Sequence, residues 1–192
     1  MGFGSVFAAV IISLTIFFVI GSVTLTIANY WMTIDETREK CLEALLERSL
    51  TSIKINSIQP DVVNNAVSTI YIEVLNDGKT SIDVVDFSKM DIILEYTSNV
   101  TDERRILWLP YKQSGQTDGW MVEDAYTRFN TSEVINPINI VNSSGQWDTD
   151  EILKIKIQLS STNLVRAKSG DSILILVSTP NAVKSTRLYV FS

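Results

Sequence analysis

Leu153-Lys154-Ile155-Lys156-Ile157-Gln158-Leu159 places an aliphatic side chain at every second position and a charged or amide side chain between, the pattern of a strand with one face buried and one in water. A helix would scatter the same residues around its circumference. Met90, Ile92, Leu94 and Tyr96 alternate in the same way with Asp91, Ile93 and Glu95, and Ile70, Ile72 and Val74 line one face of a third strand. Further strands are expected at 53–58, 82–85, 105–109, 134–141, 172–178 and 186–191. Turn chemistry separates them at Asn76-Asp77-Gly78, Ser114-Gly115, Ser143-Ser144-Gly145, Ser169-Gly170-Asp171 and Thr179-Pro180-Asn181. Roughly eight or nine short strands with no helix among them predict an all-β, immunoglobulin-like β-sandwich over residues 53–192. The chain has one Cys, so this sandwich is held by its core without an internal disulfide.

Upstream the pattern changes. Residues 6–27 are all apolar, small or hydroxylated, and no charged residue occurs before Asp35. As a helix this run spans about 33 Å, enough for a hydrocarbon core of about 30 Å. Gly21, Ser22, Thr24 and Thr26 are tolerable there because hydroxyls bond back to the helix, and Tyr30 and Trp31 fall where an aromatic belt meets headgroups. Residues 1–34 are therefore expected to form a single transmembrane helix. The run is too long for a cleaved signal, lacks a basic segment before it and has no small-residue cleavage site behind it.

Residues 35–52 continue the helical period as a stalk: Arg38, Leu42, Leu45, Leu46, Ser49 and Ile53 recur at three- and four-residue intervals, and Glu36 and Lys40 form an i,i+4 pair. The helix is expected to reach about Ser49. Its short apolar stripe serves either as a coiled-coil seam or as a surface packed on the base of the domain. Cys41 lies behind Thr37-Arg38-Glu39-Lys40, inside the charged segment, and is read as a stalk residue rather than a lipid attachment site, with a disulfide between paired stalks as the alternative. Arg38, Lys40 and Arg48 follow the span, and a literal positive-inside count would put the domain in the cytoplasm. Domains of about 140 residues translocate largely regardless of flanking charge, so the domain is expected outside the cytoplasmic membrane, with a single pass.

Of the 192 residues, 16 are Lys or Arg and 22 Asp or Glu, for a net charge of −6, and no basic cluster exceeds Arg104-Arg105. That excludes a phosphate-tracking surface for nucleic acid. The chain has no His, which removes His-dependent acid–base chemistry, Ser-His and Cys-His nucleophile pairs, and Cys/His zinc sites. The acidic run Asp148, Asp150 and Glu151 lacks the spacing of a calcium loop, and Asp83, Asp86 and Asp91 fit outward strand and turn positions; both sets are read as solvated carboxylates. No metal, cofactor or catalytic residue is expected. Sequons at Asn99-Val100-Thr101, Asn130-Thr131-Ser132 and Asn142-Ser143-Ser144 are candidate glycosylation sites on an external domain. Trp108, Tyr111 and Trp120 lie in or beside the least regular stretch, 107–120, and are the candidate partner-contact residues.

Several segments resemble the accessory proteins of the archaeal motility filament, the archaellum, known as FlaF and FlaG. Met1-Gly2-Phe3 leading directly into an apolar helix, followed by the charged helix 35–50, resembles FlaF more closely. Val74-Leu75-Asn76-Asp77-Gly78-Lys79-Thr80-Ser81-Ile82, followed by Phe87 and Asp91-Ile92-Ile93-Leu94, is similar to that family's strand, turn and strand. Residues 170–182, from Gly170-Asp171-Ser172 to Thr179-Pro180-Asn181-Ala182, resemble its C-terminal hairpin. The resemblance implies a non-enzymatic, membrane-anchored component at the base of the motor whose sandwich contacts the surface-layer protein and a FlaG-like protein, with a homodimer also implied. Archaellins and archaeal pilins share the plan and form the alternative, a filament subunit. Ala8, Ala9, Gly21 and Ser22 would suit close helix packing there, but the Lys or Arg expected before a processing-site Gly is replaced by Met1 and Phe3. A receptor for a soluble ligand is the remaining class.

Overall fold

The structure, a computed structural model, describes residues 2–112, 116–129 and 131–192; the Ser114-Gly115 turn and the Asn130 sequon lie outside the described residues. The chain divides into two compact units, Met1–Leu46 and Glu47–Ser192.

The first unit is helical. α1 runs from Phe3 to Leu50 without a break at 34 and 35, where the sequence turns from apolar to charged. It is long and apolar enough to cross a bilayer. Its hydroxyls are satisfied as a lipid setting requires: Ser13, Thr15, Thr24 and Thr26 donate to the carbonyls four residues back at 2.8–2.9 Å, and Ser22 donates to Val19 at 2.9 Å.

In the second unit α1 ends at a side-chain stop. Thr51 N and Oγ1 both donate to the Glu47 carbonyl, at 3.0 and 2.9 Å, and Asn181 Nδ2 donates to Thr51 Oγ1 at 2.6 Å. The turn at 76–80 closes on the same segment: Lys79 N donates to Leu50 O at 2.7 Å, and Asp77 N and Gly78 N to Ser52 O at 3.1 and 3.0 Å. A Cβ at Gly78 would lie 2.4 Å from Ser52 N, so only glycine allows this approach.

Among the described residues eleven strands follow: β1 (Ile53–Val63), β2 (Ala66–Asn76), β3 (Ile82–Asp83), β4 (Asp91–Thr97), β5 (Arg104–Leu109), β6 (Gly119–Thr127), β7 (Gln146–Trp147), β8 (Glu151–Gln158), β9 (Val165–Arg166), β10 (Ser172–Ser178) and β11 (Lys184–Val190). The first sheet has the order β1-β2-β8-β6, with β9 also on β2; the second has the order β11-β10-β4-β5, and β3 and β7 form a small ribbon. Taken in chain order, the eight long strands occupy the places A, B, E, D of one immunoglobulin sheet and G, F, C, C′ of the other. The sandwich is immunoglobulin-like in topology as well as in layers.

The register explains the core. Ile70 pairs Ile157, Ile72 pairs Ile155 and Val74 pairs Leu153, so the alternation of β2 and β8 points one way. Across from them stand Ile92, Leu94 and Tyr96 of β4 and Ile173, Ile175 and Val177 of β10, all fully buried in one cluster. β1 and β2 are joined by Asn64-Asn65, both at positive φ (52° and 60°), the two-residue hairpin geometry that asparagine tolerates. Pro60 is accommodated because β1 is an edge strand.

Three expectations change. Residues 134–141 form a loop rather than a strand: Asn136 sits at φ 49°, Pro137 has no N–H to donate, and Val134, Ile135 and Val141 are exposed. The strand at 82–85 stops at Asp83, and Val84–Lys89 winds into a 3₁₀ turn that buries Val84 and Phe87. Conversely, β6 occupies a stretch whose alternation is broken by a bulge between Val122 and Asp124.

Candidate interaction face

The outward sides of the two sheets differ in chemistry. On the first sheet, Tyr71 pairs Lys156 and Glu73 pairs Lys154, and both lysine ammonium groups lie over the Tyr71 ring at 5.4 and 5.9 Å. That face is charged and solvated. On the second sheet the outward positions are apolar in the middle. Leu188 of β11 pairs Leu174 of β10, which pairs Glu95 of β4, which pairs Ile106 of β5. One row along, Thr186 pairs Leu176, which pairs Ile93, which pairs Trp108. A polar row with Asp91, Ser178 and Lys184 closes one end; at the other, Arg104, Thr97 and Ser172 are polar but the row runs out to the exposed Val190 on β11.

The large side chains on the outer strands of this belt are uncovered, Ile106 at 73%, Trp108 at 57% and Leu188 at 56% exposed, and Ile93, Leu174 and Leu176 between them are half-buried. They are also held in place. Trp108 Nε1 donates to Asp91 Oδ1 at 2.8 Å, fixing the indole across the sheet. Arg104 Nε donates to Glu95 Oε1 at 2.9 Å and its Nη1 to Ser172 O at 3.0 Å, so Arg104 and Glu95 neutralise each other. A pre-positioned aromatic in an apolar centre with a polar rim is the anatomy of a protein-binding surface.

The three aromatics expected at a partner contact separate in the fold. Trp108 projects from the belt. Trp120 has no exposed surface and belongs to the core, which corrects its placement at a contact: β6 turns its indole inward, where Tyr111 packs on it at 4.7 Å between centroids. Tyr111 is half-buried, with Phe87 edge-on at 6.2 Å, and burial raises its phenol pKa. The belt residues Ile93, Ile106, Leu174, Leu176 and Leu188 were not read as a contact surface in the sequence, since alternation marks the outward face of one strand but not which outward faces line up across a sheet. Asn99 and Asn142 are exposed in turns, Asn142 N donating to Asn139 Oδ1 at 3.1 Å.

No protein-family model matches this sequence, and no curated protein matches it. Among solved structures, the chain is similar to a subunit of the archaeal flagellum of Methanospirillum hungatei strain JF1, with 9% identity, 99% of this chain and 94% of that one covered, and a TM-score of 0.56. It is similar to the archaeal flagellin FlaB1 of Methanocaldococcus jannaschii, with 10% identity, 73% and 90% covered, and a TM-score of 0.51. The archaellum periplasmic stator protein FlaG of Sulfolobus acidocaldarius aligns at 16% identity over 73% of this chain and all of that one, with a TM-score of 0.47. At these identities the likeness is one of fold.

Proposed function

We propose that this chain is a non-enzymatic structural component of the archaeal motility filament machinery, anchored in the cytoplasmic membrane by α1, with its sandwich outside the cell. The sandwich docks through the belt centred on Ile106 and Trp108 onto the surface-layer protein, giving the motor a fixed body to push against, and a FlaG-like accessory protein is the second partner of this reading. The observation that carries it is the contrast between the two sheet faces: the apolar belt is fixed and uncovered, whereas the opposite face is charged. The pattern resemblance to FlaF and FlaG supplies the cellular setting, and the helix-plus-sandwich fold agrees with it.

A filament subunit is the second reading, favoured by one finding: the likeness to the Methanospirillum hungatei flagellum chain extends over helix and sandwich together. Protease treatment of intact cells, with mass determination of the N-terminus of the membrane-bound protein, separates the two. The anchor predicts a sandwich digested from outside and an N-terminus retaining Met1 or Gly2. A start at Phe3 or Ser5, processed after Gly2 or Gly4, selects the filament subunit, and a sandwich digested only after lysis contradicts both.

A further inference from the structure

Beside the belt, one edge of the sandwich is left open. We propose that β5 is a strand-addition site: an extended segment of the surface-layer partner pairs with residues 104–108 and continues the β11-β10-β4-β5 sheet into that partner. This mode of contact rests on the belt being the docking surface proposed above.

The direction of the backbone groups follows from both ends of β5. Before it, Ser98 N donates to Glu103 O at 2.9 Å, and along an antiparallel ladder hydrogen-bonded and non-bonded pairs then alternate. Tyr96 with Arg105, Leu94 with Leu107 and Ile92 with Leu109 are therefore the bonded pairs, and the N–H and C=O groups of Arg104, Ile106 and Trp108 point away from β4. Beyond β5, Trp120 N donates to Pro110 O at 3.0 Å and Lys112 N to Trp120 O at 2.8 Å, so even-numbered groups face outward there as well, and β6 takes them up. Over 104–108 nothing does: β5 ends its sheet, and among the described residues no group bonds to the outward backbone of Arg104, Ile106 or Trp108.

The other edges are blocked. β1 carries Pro60 and two register breaks, and β11 closes over it, Ser185 Oγ accepting from Ile55 N at 3.1 Å and Arg187 Nη1 donating to Ile55 O at 2.9 Å. The same contacts engage β11. β6 is bulged after Val122, with Glu123 and Asp124 at the bulge, and its end is paired by the following loop, Thr127 N donating to Thr131 O at 3.0 Å. β5 has no proline, no bulge and no lysine, the devices by which natural edges resist pairing. Its outward charge, Arg104, is drawn back over the sheet to Glu95 and Ser172.

The open groups fix the chemistry of the occupant. N–H and C=O pairs repeating every second residue, about 6.8 Å apart, match an extended polypeptide backbone. Its side chains on the belt side would stand next to Ile106 and Trp108, which calls for apolar residues at alternate positions. Arg104, Ile106 and Trp108 supply both the open backbone and the exposed side chains, so the protein that covers the belt is the one placed to add the strand.

The test is binding of the full chain in lipid nanodiscs to isolated surface-layer protein, comparing Ile106→Pro with Ile106→Ala. Both lose the isoleucine side chain, but only proline removes the outward N–H, and its ring sits on the edge without breaking a bond to β4. Ile106→Pro is expected to bind at least about tenfold more weakly than Ile106→Ala. Hydrogen exchange resolved to single amides in the wild type gives a second readout independent of how the proline variant folds. The Arg104, Ile106 and Trp108 amides are expected to exchange fast in the free chain and at least about tenfold more slowly in the complex, whereas Arg105 and Leu107 are slow in both. Equal binding by the two variants, or outward amides that stay fast in the complex, overturns strand addition while leaving the belt as a docking face. Outward amides already slow in a free chain that sediments as a pair mean that a second copy holds the edge, which also overturns it. Full binding by Trp108→Glu removes the belt reading and this proposal together.

Discussion

Trp108 and Trp120 flank the same loop and end in opposite environments, one 57% exposed on the belt and one fully buried beside Tyr111. Residue type and neighbourhood are alike, and only strand register separates them. Truncating Trp120 to Ala removes a core side chain and should destabilise the fold by about 3–5 kcal/mol in urea unfolding. Trp108→Glu replaces an exposed ring and should shift the same curve by less than about 0.5 kcal/mol. Comparable losses from both would contradict the assignment of one to the core and one to a surface. Gly78 is a sharper case, because a methyl there meets backbone, at 2.4 Å from Ser52 N, and backbone gives way little. Gly78→Ala is expected to cost about 1–3 kcal/mol, read from the same unfolding curves. The sequence shows Gly78 as a turn residue; that the turn closes on the end of α1 depends on a contact between segments it cannot display.

Elements were legible in proportion to how strictly they alternate. β4, β8 and β10 bury one face completely and leave the other mostly half-buried, so period two stands out and their bounds fall within a residue or two of expectation. β6 was missed because Trp120, Met121 and Val122 are consecutive apolar residues and the bulge after Val122 resets the alternation. Residues 134–141 misled in the other direction. Val134, Ile135, Ile138, Ile140 and Val141 have strand-like composition, yet Pro137 and the positive φ of Asn136 break the ladder and the loop pairs with itself, Asn139 N donating to Ser144 O at 2.8 Å. Polar replacement in this loop, as in Val141→Ser, should leave stability within about 0.5 kcal/mol, whereas Ile155→Ala in β8 should lose about 2–5 kcal/mol. A loop variant as damaging as the β8 variant would restore the strand.

At the scale of the whole molecule, the chain joins a helix fit for a bilayer to a sandwich with one charged and one apolar outer face. The division into helix and sandwich was legible because charge begins at Asp35 and alternation begins at Ile53. The belt was not, because it is assembled from every second residue of four strands far apart in sequence. Its central role is tested by binding of the full chain in nanodiscs to surface-layer protein isolated from the source organism. Wild type is compared with Ile106→Glu and Trp108→Glu, and with Lys156→Glu on the opposite face as control. The account predicts that the two belt variants lose at least about tenfold in affinity with unchanged unfolding curves while the control binds as wild type. Belt variants that bind as tightly as wild type would contradict it.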